Sequence, residues 1–171
     1  WDKAPKVARV ASETWKRHNA ATWDIRLIDR QSLNRYIDTK LIHPSASIQA
    51  QSDIVRLLLL ATHGGVWADA TALCMVSLDR WVPKVKGDFW SHLGTDSGQG
   101  PGCTWFIVSN PLSLVIQTWR NAMIDFWSNR TNKHVPYFWM DNLFNRERRN
   151  NMAFATAWKN MRPRHNCDGT H

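Results

Sequence analysis

The sequence predicts a single α/β domain. Short apolar or alternating segments recur between stretches of helical spacing, 171 residues suit one core, and the composition is globular at 43% hydrophobic and 21% charged. A domain of this length buries most of its apolar surface without staples. Charge is 22 Lys+Arg against 14 Asp+Glu, or +8 with His neutral. That balance favours anionic partners: nucleic acid, an anionic membrane surface or a phosphorylated small molecule. Eleven Trp stand against two Tyr. Trp faces suit sugar rings and bases, and Trp is equally a core residue.

The three cysteines Cys74, Cys103 and Cys167 leave at least one unpaired, and none forms a C-x-x-C pair. This speaks against a disulfide framework or zinc ribbon and for a reducing compartment. No run approaches the ~18 apolar residues of a membrane span. The opening W-D-K-A-P-K is no signal peptide, and a start without Met reads as internal, with a segment missing.

Residues 4–18 have helical spacing, with Val7, Val10 (or Ala11) and Trp15 on one face, Asp2 as cap and Pro5 in the first turn. Residues 23–28 alternate as W-D-I-R-L-I and predict a strand. Residues 32–36 form a short helical turn, and residues 39–47 are irregular. Residues 52–63 are the clearest helix, with Ser52 as N-cap, Asp53 at the positive end and a Leu57–Leu60 run that implies burial. Gly64-Gly65 ends it with a left-handed residue. Residues 66–68 then form a short strand, and residues 72–76 and 88–92 are further extended pieces. Residues 94–102 (G-T-D-S-G-Q-G-P-G) read as a loop and 103–108 as a strand. Helices follow from Asn110-Pro111 to about 127, from Pro136 to 144, and over about 150–161, with a loop at 129–135 and an irregular tail from 163.

The informative stretch is residues 52–71, S-D-I-V-R-L-L-L-L-A-T-H-G-G-V-W-A-D-A-T. Asp53 and Arg56 are three apart and share a helix face. The glycine turn returns the chain into a strand that ends in Asp69, with Thr71 two residues on. At that spacing both side chains of an extended segment point the same way. A carboxylate and a hydroxyl there suit Mg²⁺ or Mn²⁺ bridged to substrate phosphates. Strand ends in α/β sheets are where ligands dock. Each feature alone has an ordinary use: a helix-start carboxylate, a surface ion pair, a turn, a helix stop. Their continuous spacing argues for a site.

The pattern S-D-x-x-R, a Leu-rich helix, then G-G-V-W-x-D-x-T resembles GT-A sugar-nucleotide glycosyltransferases. It looks most like capsular polysaccharide synthesis proteins and their relatives in glycosyltransferase family 32. The opening helix, W-D-I-R-L-I-D, T-W-F-I-V-S-N-P-L and P-Y-F-W-M-D-N-L-F are similar to family segments in the same order. The resemblance implies a GT-A-like domain over residues 1–171, with a mixed, mainly parallel sheet flanked by helices and its first strand lacking at the N-terminus. It implies a metal-dependent hexosyltransferase, retaining by default, that moves a sugar from a nucleotide-sugar donor to a glycan acceptor. Asp53 and Arg56, with Gly65 and Trp67, would hold the donor. Asp69 would bind Mn²⁺ or Mg²⁺, with Thr71 at the motif's second acidic position and His171 as a late ligand.

Asp141, in an aromatic-rich helix, is a candidate to orient or deprotonate the acceptor hydroxyl, and Trp105 and Phe106 are candidates to stack on the acceptor. The run Arg146, Arg148, Arg149 reads as a solvated face. The expected location is the cytoplasm, extending to peripheral association at the inner face of a membrane. Two alternatives stand beside this reading. One is a basic, Trp-rich nucleic-acid-binding module, disfavoured because the Trp residues recur inside apolar helical patterns. The other is a glycosyltransferase-like domain without activity.

Overall fold

The computed structural model describes residues 3–84, 87–93, 101–128, 130 and 135–161. Helix α1, Lys6–Asn19, opens the chain. Its N-cap position is Pro5, while the expected cap Asp2 lies outside the described residues. The face it buries matches the expected one at Ala11 and Trp15 but not at Val7 and Val10. Ala8, Ala11, Ser12 and Asn19 are inside, and Val7 and Val10 are half exposed. Small residues let α1 sit close to the chain around residues 72–78. There the Asn19 side chain accepts the Leu78 N–H at 2.7 Å, and Trp15 Nε1 donates to the Ala72 carbonyl at 2.7 Å.

Residues 24–27 alternate between exposed and half-buried, as their pattern requires, yet residues 24–28 have no regular structure and pair with no strand among the described residues. This corrects the expected strand: alternation sets the backbone direction, but a strand also needs a neighbour. After two 3-10 turns, Leu33–Arg35 and Thr39–Leu41, comes α2, Ile48–His63. Its cap is Ser47, whose hydroxyl accepts the Ala50 N–H at 3.2 Å, so Ser52 and Asp53 lie inside the helix. Residues 56–61 are buried without a break.

Both glycines after α2 have positive φ, 68° at Gly64 and 88° at Gly65. At Gly64 the backbone presses on the Ser109 carbonyl and Pro111, leaving no room for a Cβ. The chain reverses into β1, Gly65–Ala68. Strands β2, Phe89–Leu93, and β3, Pro101–Ser109, complete a sheet of order β1-β3-β2. Both pairings are antiparallel. The mainly parallel sheet is therefore corrected to a small antiparallel one among the described residues. Phe89 and Gly65 both lie opposite Ser109, so β3 is the central strand. Residues 72–76 form no strand, and 94–100 of the expected loop fall outside the described residues.

Helices α3, Leu114–Ser128, α4, Trp139–Asn150, and α5, Met152–Lys159, pack together, with α3 against α2. Their core is aromatic. Trp119 is fully buried, its Nε1 donates to the Met140 carbonyl at 3.1 Å, and Phe144 meets it edge-on at 4.8 Å. Asn151 caps α5 by accepting the Phe154 N–H at 3.1 Å. Among the described residues no helix is long and apolar enough to cross a membrane. Cys74 is a free, buried thiol, but Cys103 is disulfide-bonded. The free Cys74 agrees with the expectation of at least one unpaired cysteine, while the bond at Cys103 runs against the expected reducing compartment, since disulfides persist in oxidising ones.

Candidate functional site

The turn after α2 determines what meets Arg56. From Arg56 the helix climbs about 10 Å to its end, and the return from Gly65 to Asp69 covers about 13 Å of extended chain. The strand end therefore comes back level with the arginine. The ladder continues one bond beyond β1, where the Asp69 N–H donates to the Trp105 carbonyl at 2.8 Å. This fixes Asp69 against β3.

Arg56 lies between two carboxylates. Its Nη1 is 3.2 Å from Asp53 Oδ1 and its Nη2 is 3.0 Å from Asp69 Oδ1. The residue is only 3% exposed. Burying a guanidinium costs several kcal/mol unless opposite charge surrounds it. Trp67 completes the group, for its side chain lies two residues from Asp69 on the same strand face. Its Nε1 donates to Asp69 Oδ1 at 2.7 Å, and its ring lies 5.4 Å from the guanidinium. Trp139 Nε1 donates to Asp53 Oδ2 at 3.2 Å.

The arginine is nevertheless incompletely satisfied. Nε and Nη1 are buried without a hydrogen bond, and the Nη1 contact with Asp53 is ion pairing without hydrogen-bond alignment. Such orphaned donors call for an explanation beyond stability. Burial pushes the Asp53 carboxyl above its ordinary range, and the nearby Asp69 charge adds to this; Arg56 and the Trp139 hydrogen bond oppose it. Asp141, in the first turn of α4, is pushed up to about 6. Burial is the main cause and Asp53 adds to it, against a hydrogen bond from its own backbone N–H and the charge of Arg56.

Asp53, Arg56, Asp69 and Asp141 line one cleft of about 820 Å³, with Trp105 and the Pro136–Met140 segment on its other walls. A second cavity of about 870 Å³ lies along the outer edge of β1, with residues 23–28 as a facing wall. Ser52 and Asp69 border both.

The predicted site residues thus separate. Asp53, Arg56, Asp69, Asp141 and Trp105 come together in the first cleft. Gly65, Trp67 and Thr71 line the second. Phe106 is 4% exposed among Trp15, Trp81 and Trp90, a core position rather than a stacking platform. Thr71 does not follow Asp69 on an extended strand. The Ala72 N–H donates to the Asp69 carbonyl at 2.9 Å and closes a turn, so the shared-face expectation is corrected. His171 lies outside the described residues. Sequence reasoning missed Trp139, Tyr137 and Phe138. The expected helix start at Pro136 placed them on a helix face. In the fold Tyr137 and Phe138 form an exposed turn ahead of Trp139, where α4 begins.

Among the described residues no group of three or more His, Cys, Asp or Glu side chains is placed to hold a metal ion. Asp69 Oδ1 is taken by Arg56 and Trp67, while Oδ2 has no hydrogen bond among the described residues. Such a donor set does not make a cage. It fits a cation held by one carboxylate oxygen and completed by water and substrate phosphates.

A family model described as capsular polysaccharide synthesis protein matches residues 1–170. The chain belongs to the capsular polysaccharide synthesis protein family. No curated protein and no solved structure matches it. Family membership gives the chain a role in capsular polysaccharide synthesis.

Proposed function

We propose that the chain is a glycosyltransferase that moves a sugar from a nucleotide-sugar donor to a glycan acceptor within the 820 Å³ cleft. The observation that carries this is the buried Arg56 between Asp53 and Asp69, with donors unmet, in a cleft that also holds Asp141. The donor sugar's hydroxyls meet Asp53, Arg56 and Asp69. Asp141, with its carboxyl near 6, is ionised at neutral pH and basic enough to take the acceptor's hydroxyl proton. In the net reaction the acceptor oxygen bonds to the anomeric carbon. The bond from that carbon to the phosphate oxygen breaks, and the nucleoside diphosphate leaves with its electron pair. Asp69 Oδ2 would hold Mn²⁺ or Mg²⁺, which when bound neutralises charge on the departing diphosphate. The family 32 likeness of S-D-x-x-R and G-G-V-W-x-D-x-T supports retention of configuration.

The same reading treats residues 1–171 as one glycosyltransferase-like domain to which a first strand, ahead of α1, is added. The outer edge of β1, unpaired among the described residues, and the 870 Å³ between it and residues 23–28 support it.

A thermal-shift panel of UDP, GDP, CDP and dTDP, with and without Mn²⁺, tests the donor site. One nucleotide raising the melting temperature only with metal, and not in Asp69→Ala, is the expected result. A shift unchanged in Asp69→Ala would remove the site from this role.

A further inference from the structure

Tyr137 is 83% exposed and Phe138 64% exposed, at the mouth of the cleft that holds the carboxylates. Their rings meet edge to face, with centroids 4.9 Å apart and planes at 88°. Adjacent aromatic rings left in water beside a cleft mark a binding surface more than a packing need. They also give contact area at small entropy cost, having two side-chain torsions each. Across the cleft Trp105 is 37% exposed, and its ring is backed by His92 at 5.3 Å and 25°.

The charge of the cleft runs against that of the chain. The whole sequence carries +8. Among the described lining residues stand Asp53, Asp69 and Asp141 against Arg56, or −2 when all are ionised. The guanidinium already faces Asp53 and Asp69. A second anion entering here meets like charge with no spare described cation, which is a device for exclusion. Carboxylates beside aromatic faces suit a ring with apolar C–H faces and hydroxyls around its rim, because ionised acceptors make the stronger hydrogen bonds to hydroxyls.

We infer that the outer part of this cleft is the acceptor subsite. It stacks a non-anionic pyranose, neutral or amino-bearing, on Tyr137 and Phe138, and it rejects uronate and phosphorylated sugar ends. This rests on the transferase reading and names the acceptor class for the same site.

The test is direct titration of the whole chain with size-matched oligosaccharides, neutral, amino-bearing and uronate, followed by intrinsic fluorescence and calorimetry. Nucleoside diphosphate binding is measured on the same samples. The expected result is that neutral or amino-bearing glycans bind at least about tenfold more tightly than uronates. Tyr137→Ala and Phe138→Ala each weaken that binding about tenfold and leave nucleotide affinity unchanged. Glycan binding unmoved by both substitutions, tighter uronate binding, or no glycan binding by a chain that binds nucleotide would overturn the inference. Glycan binding as expected without any nucleotide binding would support the subsite and refute the transferase reading instead. Tyr137→Trp serves as the conservative variant and retains binding.

Discussion

Arg56 gives the sharpest test at the scale of single residues. It is 3% exposed and sits between Asp53 and Asp69. Removing one member of a buried ion pair leaves the others uncompensated. Arg56→Met is expected to lower unfolding free energy by about 3 kcal/mol, read from the urea midpoint, with part of the loss recovered by adding Asp53→Asn. Asp141 supplies a pH dependence. Its folded carboxyl titrates near 6, above the 3.8 of the unfolded chain, so the folded state binds the proton more tightly. The stabilisation this gives is complete below about pH 4 and is lost as pH rises through 6. Asp141→Asn is therefore expected to melt higher than the parent chain at pH 8 and no higher at pH 4, while losing most transfer activity at pH 8, where the parent carboxylate is ionised. Equal melting shifts at the two pH values would contradict the buried-carboxylate assignment. Asp53, Arg56 and Asp69 were legible in the sequence because i,i+3 spacing and a helix–turn–strand length force them together. Trp139 was not, because no local pattern ties it to a residue 86 positions earlier.

Among the elements, the helix–turn–strand unit of α2 and β1 carries the site, and its glycines are unequal. A Cβ at Gly64 would lie 2.8 Å from the Ser109 carbonyl oxygen and 2.9 Å from the Pro111 nitrogen, on top of a φ of 68°. At Gly65 a Cβ meets nothing within 4 Å, leaving only the strain of a φ of 88°. Gly65→Ala is expected to cost about 1 kcal/mol and Gly64→Ala clearly more, with a matching order of melting temperatures. Equal losses would mean that the close approach to β3 is not what holds the turn. The unit was readable because a continuous Leu run and a glycine pair leave few alternatives. Its first turn was not, since residues 48–51 (I-Q-A-Q) add no apolar period and Ser47 and Ser52 are equally good caps by type. Residues 24–28 show the complementary failure. Their alternation predicted a strand that the described residues do not form, because strand pairing depends on what lies alongside, and local pattern is blind to that.

Over the whole molecule, five of the eleven Trp residues serve packing. Trp90, Trp119, Trp127, Trp139 and Trp158 are each 3% exposed or less, so they build the core rather than a base-stacking face. Composition alone could not separate these uses, because the same ring serves both. Helix count and order were largely visible in the periodicity. The antiparallel sheet was not, since strand direction depends on connections rather than on residue type. What remains central is the proposal that Asp69 and Arg56, paired in one cleft, hold a nucleotide-linked sugar. The most direct measurement is release of nucleoside diphosphate from a panel of nucleotide sugars, with Mn²⁺ and a neutral oligosaccharide acceptor. The parent chain is compared with Asp69→Asn, and folding of both is checked by circular dichroism. Metal-dependent release from one donor, raised by acceptor and lost by at least about a hundredfold in folded Asp69→Asn, is the result expected of a transferase. Equal release by the parent and the folded variant would contradict it.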